Sequence, residues 1–124
     1  MIMGAGGFLR QGNPAVRLVA VEPASSAVLS GNPAGAHGID GTGAGFVPPL
    51  FDPQVVREVF AVDEKEAREC VRLVARVEGI FAGTSTGLNL VAALRLAREL
   101  GSGGTVVTVA CDTGLKYLAG DLFH

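Results

Sequence analysis

The chain has 124 residues, room for one small domain. A formal net charge of −2 and 6% aromatic residues offer neither the field nor the stacking surface that nucleic-acid binding uses. No apolar run approaches the roughly 18 residues of a membrane span, and two cysteines, Cys70 and Cys111, are too few for a disulfide scaffold and suit no metal site. The start, Met1-Ile2-Met3-Gly4, lacks the basic region and apolar core of a signal peptide. The expectation is a cytoplasmic protein with reduced thiols. Its 18 glycines, roughly twice the average share of about 7%, point to tight turns and close backbone approach.

In chain order, Met3 to Gln11 reads as a helix with no cap, weakened by Gly4, Gly6 and Gly7 and closed by Asn13-Pro14. Val16 to Val21 is a short apolar run, as in a parallel strand covered on both faces. Glu22 to Pro53 has no period and is rich in Gly, Pro, Ala and Ser; a loop of this length in a small domain is usually functional or disordered. Val28, Leu29, Phe46, Val47, Leu50 and Phe51 argue against disorder and read as packing anchors.

Glu58 to Val62 reads as a second strand. Asp63 is a helix N-cap, and Glu66 completes a capping-box pattern. Ala67, Cys70, Val71, Val74 and Ala75 then fall on one helical face, opposite Glu64, Lys65, Arg68, Arg72 and Arg76. This surface helix ends near Gly79. The next helix, Thr86 to Leu100, is apolar nearly all round, which predicts burial. Thr105 to Ala110 reads as a third strand, Cys111-Asp112-Thr113-Gly114 as a turn at its carboxyl end, and Leu115 to Leu122 as a short terminal helix.

The alternation makes the fold class α/β, a partial parallel sheet with flanking helices. Two regions follow: a long loop region at 22–53 and a β-α-α-β core at 54–124. Three strands form a poor sheet, and an all-apolar helix needs cover. The expectation is part of a larger fold, or burial against another chain.

Gly79 to Gly87 (GIFAGTSTG) combines small residues, three consecutive hydroxyls and a helix start. The first turn of a helix leaves amides unpaired, so such a place suits a polar ligand. No Gly-Lys-Ser/Thr ending follows, which argues against a nucleotide loop. From the local pattern alone, Ser85 reads as a helix cap.

A resemblance enters through an ordered set of segments: Val19-Ala20-Val21-Glu22-Pro23, Ser26 to Gly31, Gly41-Thr42-Gly43-Ala44-Gly45-Phe46-Val47-Pro48, Glu78-Gly79-Ile80, Gly83-Thr84-Ser85-Thr86-Gly87, Asp112-Thr113-Gly114 and Lys116-Tyr117-Leu118. Together they resemble the second half of cysteine synthases, which are fold-type II (tryptophan synthase β-like) pyridoxal-phosphate enzymes related to cystathionine β-synthase. The resemblance implies pyridoxal 5′-phosphate as cofactor, a small amino-acid substrate and a homodimer. It implies that Ser85 bonds the pyridine nitrogen and that Gly41, Thr42 and Gly43 line the cofactor pocket. A hydroxyl leaves that nitrogen neutral and the ring a weaker electron sink, which suits β-elimination better than transamination. The implied reaction is β-replacement on O-acetylserine or a related amino acid; cystathionine β-synthase and cysteine desulfhydrase chemistry remain open.

The Schiff-base lysine of the family has no counterpart here, so the resemblance implies a C-terminal fragment, inactive alone. A separately encoded N-terminal half or a non-catalytic interaction module are the alternatives. Cys111 stands where many relatives carry proline, Lys116 where many carry arginine, and Asp40 directly before the glycine-rich loop. On their own pattern, Lys65 reads as a solvated charge, Asp112 as a turn former and Cys111 as a small apolar filler. His37 and His124 have no recognisable partner for metal or triad chemistry.

Overall fold

The computed structural model describes residues 1–124. Its elements are α1 (Ile2–Gly12), β1 (Val19–Pro23), β2 (Glu58–Val62), α2 (Glu64–Glu78) and α3 (Thr84–Leu100), with single 3-10 turns at Ala24–Ser26, Gly101–Gly103 and Gly114–Tyr117. β1 and β2 pair in parallel, with Val19 opposite Glu58 and Pro23 opposite Val62. A parallel pair needs a long crossover, and residues 24–57 supply it without an α-helix. No helix is long and apolar enough to cross a membrane.

Each helix forms for a local reason. α1 starts without a side-chain cap and meets Leu18, just before β1, through Gly6, where a Cβ would lie 2.6 Å from Leu18 Cδ1. α2 starts at Asp63, whose carboxylate accepts from Lys65 N at 2.9 Å and Glu66 N at 3.3 Å. The capping box is half made: Glu66 reaches Arg95 Nη2 of α3 at 2.6 Å. Gly79, at φ 70°, ends α2 in the left-handed conformation. α2 and α3 pack backbone to backbone at Gly87, where a Cβ would stand 2.0 Å from the Ala67 carbonyl oxygen.

The main core lies between the helices and the sheet and holds Ile39, Val62, Ala67, Leu88, Val91 and Ala92. Leu18, Ala20 and Val56 form a second cluster toward α1. Val71, Ala82 and Leu122 form a third, which seats the C-terminal tail. Arg68 pairs with Asp121, and Arg72 donates to the Leu122 and Asp121 carbonyls.

Four expectations are corrected. Thr105–Ala110 forms no strand: Val107 is 85% exposed, and no strand lies beside this segment to complete a ladder. The unit at 54–124 is therefore β-α-α without its last strand. Only the N-terminal half of α3 is buried, because Leu94 and Leu100 find no cover. The terminal helix shrinks to the turn Gly114–Tyr117, since the tail is drawn across α2 instead. Among the loop anchors, Leu29 and Phe51 pack against the second cluster, whereas Phe46, Val47 and Leu50 lie exposed, Leu50 at 83%.

Candidate functional site

The start of α3 is where three parts of the chain meet. Gly83 is the N-cap and offers no side chain, and the Thr86 and Gly87 amides turn back to its carbonyl at 3.1 and 3.4 Å. The flanking threonines are used outward. Thr84 Oγ1 accepts from Asp40 N at 3.2 Å, which ties down the residue before the glycine-rich turn. Thr86 Oγ1 accepts from Cys111 N at 3.0 Å, which ties down the turn on the other side. Ser85 stands between these two ties. It is 8% exposed, and its hydroxyl makes no hydrogen bond to another protein atom. The capping reading for Ser85 is therefore not what the structure adopts.

The Asp112 turn is held against the same helix start. Gly83 N donates to the Asp112 carbonyl at 3.1 Å, Gly114 N donates to Phe81 O at 3.0 Å, and Ala82 bridges Thr113. Asp112 Oδ2 accepts from Tyr117 Oη at 2.9 Å and from Lys116 Nζ at 3.0 Å. Its Oδ1 is buried without a partner, in the space a side chain on Gly83 would need. The hydrogen bond to Asp112 holds the Lys116 ammonium above its usual range, so this amine is a paired cation. Burial raises the Tyr117 phenol, and Asp112 pushes the same way against the opposing Thr84 hydroxyl. Asp112 thus does more than form a turn.

The glycine-rich turn takes its shape from alternate residues: Gly41, Gly43 and Gly45 have φ of 80°, 63° and 79°, all in the left-handed region. Gly41, Thr42, Gly43 and Ala44 line a cleft of about 440 Å³ together with Val21, Glu22, Val28, Leu29, Phe46 and Pro48. Ser85 does not line this cleft. The structure therefore brings Asp40 to the α3 start while Gly41, Thr42 and Gly43 face a neighbouring hollow.

Two residues that shape the candidate site are not singled out from the sequence. Glu22, at 2% exposure, lies near the end of β1 and accepts from Leu29 N, Ser30 N and Ser30 Oγ at 2.8, 3.0 and 2.6 Å, fixing one wall of the cleft. Its sequence signals are a carboxylate directly after an apolar run and its place in the segment Val19-Ala20-Val21-Glu22-Pro23. Tyr117 reads only as part of the segment Lys116-Tyr117-Leu118. Cys111 is exposed rather than a filler, with Asn89 Nδ2 3.5 Å from its Sγ. Lys65 is exposed, as expected.

A hydroxyl without a protein partner at a helix start is free to donate to an acceptor atom of a ligand. Residues 1–112 match the family described as "Pyridoxal-phosphate dependent enzyme", and the chain belongs to that family. Within that family it is similar to cysteine synthase from Staphylococcus aureus, 41% identical over 122 residues, covering 98% of this chain and 39% of that protein. Among solved structures it is similar to O-acetyl serine sulfhydrylase isoform 3 from Entamoeba histolytica (TM-score 0.94, 41% identity, 98% of this chain and 37% of that one). It is also similar to the O-acetylserine dependent cystathionine beta-synthase from Helicobacter pylori (TM-score 0.92, 32% identity, 99% and 40%). The fold is that of fold-type II enzymes, and the cofactor of the intact enzymes is pyridoxal phosphate. The chain spans about two fifths of the length of these relatives.

Proposed function

We propose that this chain is the C-terminal, ring-nitrogen-facing part of a cysteine synthase-like enzyme that carries out β-replacement on O-acetylserine or a related β-substituted amino acid. The observation that carries the reading is the free Ser85 hydroxyl, held between the Thr84–Asp40 and Thr86–Cys111 ties. When bound, pyridoxal phosphate supplies the electron withdrawal that loosens bonds on the amino acid. Ser85 binds the ring nitrogen in its neutral form. Gly41, Thr42 and Gly43 line the pocket beside it, where bare backbone permits close approach. Asp112, Tyr117 and Lys116 hold the turn that buttresses the helix start.

No lysine here serves as the cofactor-linking residue: Lys116 is paired with Asp112, and Lys65 lies on the exposed face of α2. The reactive lysine comes from other polypeptide, as do the residues that choose among cysteine synthase, cystathionine β-synthase and desulfhydrase chemistry. The protein acts in the cytoplasm, and a homodimer is its assembly. The isolated chain forms no cysteine from O-acetylserine and sulfide with cofactor added; turnover well above background refutes this.

A second reading, one half of a split enzyme or an interaction module, is favoured by the uncovered Val107 and Leu50 and the two-stranded sheet. Co-expression with a cysteine synthase N-terminal half separates the two. Cofactor absorbance in the complex supports the split enzyme, and a stable complex without it supports the module.

A further inference from the structure

The turn that carries Gly41, Thr42 and Gly43 is fastened by a histidine whose tautomer the geometry fixes. The Ile39 N–H points at His37 Nδ1 at 3.3 Å, and His37 Nε2 faces the Gly43 carbonyl oxygen at 3.0 Å. A backbone N–H only donates and a carbonyl only accepts. Nδ1 is therefore bare, Nε2 carries the proton, and both ring nitrogens are committed within the loop. The approach is close: a Cβ on Gly43 would lie 2.4 Å from Nε2 and 3.0 Å from Pro23 Cγ, and Gly43 sits at φ 63°.

The rest of the loop is pinned on both sides of the ring. Gly38 N donates to Glu64 Oε2 at 2.6 Å, and Asp40 N donates to Thr84 Oγ1. Glu64 is also near Arg68, and Glu22 is committed to Leu29 and Ser30, so neither carboxylate bonds the imidazole. Peptide planarity turns the result into an orientation. With the Gly43 oxygen drawn toward His37, the N–H of Ala44 points the opposite way across the same trans peptide. That amide has no acceptor in the protein.

We infer that His37 is a positioning residue, whose Nε2–H sets the Gly43–Ala44 peptide and thereby presents the Ala44 amide as an open donor to an oxygen of the bound ligand. The inference rests on the reading of Gly41 to Gly43 as cofactor-side residues.

The two ring nitrogens can be replaced one at a time. The amide nitrogen of glutamine lies where Nε2 lies, and the amide oxygen of asparagine lies where Nδ1 lies. Nitrogen NMR of the full chain is expected to show His37 as the Nε2–H tautomer, assigned by its loss in His37→Gln. His37→Gln is expected to keep the native Gly43 and Ala44 amide resonances while His37→Asn displaces them. In the complex with a cysteine synthase N-terminal half, His37→Asn is expected to weaken pyridoxal-phosphate binding roughly tenfold and His37→Gln no more than about twofold. An Nδ1–H or averaged tautomer, or equal behaviour of the two variants, overturns the inference. Ser85→Ala separates it from the site reading: unchanged cofactor binding in that variant defeats the reading of the site, whereas a loss there with both His37 variants unchanged defeats the positioning role alone.

Discussion

Three hydroxyls in a row begin α3, and each has a different task. Thr84 and Thr86 accept from backbone amides of two separate loops, while the Ser85 hydroxyl bonds no protein atom, as the proposed cofactor contact requires. The sequence displayed the triplet and the family resemblance picked out its middle member, but nothing local distinguished the tying hydroxyls from the free one. That distinction depends on where residues 40 and 111 return in space. Asp112 was legible only as a turn former for the same reason, since its partner Tyr117 comes from the following 3-10 turn. Tyr117 is the sole tyrosine and there is no tryptophan, so phenolate absorbance reports on it alone. Burial raises its folded value above the unfolded value of about 10. The unfolded chain then loses this proton first. The contribution to stability is complete below about pH 10 and is lost as pH rises toward the folded midpoint. A spectroscopic titration is expected to place that midpoint above the free phenol's, and Asp112→Asn is expected to lower it. A midpoint at the free value contradicts the contact.

At the scale of elements, the helices and both paired strands were readable because their signals are local. Asp63 caps, Gly79 terminates, and the 3.6-residue period of α2 survives without its neighbours. Asp63→Ala is expected to cost about 1 kcal/mol in denaturant unfolding, through loss of its bonds to the Lys65 and Glu66 amides. Gly87→Ala separates two effects of opposite sign. Alanine gains about 1 kcal/mol in helix propensity, but its Cβ would stand 2.0 Å from the Ala67 oxygen and force α2 from α3. Overpacking of this kind costs about 1–3 kcal/mol, and here backbone is the obstacle, so net destabilisation is expected. A variant as stable as the parent would show that the helices yield there. Thr105–Ala110 failed as a strand because a strand needs a partner.

At the scale of the whole molecule, the sheet is short and much apolar surface is uncovered, as the sparse strands and the apolar helix suggested. A two-stranded parallel sheet is marginal alone, and apolar side chains from α1, the 46–50 segment, α3 and the 105–110 segment face outward together with Val107 at 85% exposure. Val107→Asp is therefore expected to leave the thermal unfolding of the isolated chain unchanged and to prevent co-purification with a cysteine synthase N-terminal half; undiminished co-purification argues that this segment remains outside the assembly. Sequence could state the class of the fold and the family, because short ordered segments carry them. It could not state which apolar positions stay bare, since 48% apolar composition looks the same in a complete core and in half of one.

The central claim is that the Ser85 hydroxyl meets the cofactor ring, and affinity for pyridoxal phosphate in the complex of this chain with a cysteine synthase N-terminal half measures it most directly. Ser85 Oγ bonds no protein atom, so Ser85→Ala is expected to leave assembly and unfolding unchanged. The same variant is expected to raise the cofactor Kd roughly tenfold, the loss of one buried hydrogen bond to the ring nitrogen. An identical Kd in parent and variant, with the complex intact, would contradict the account.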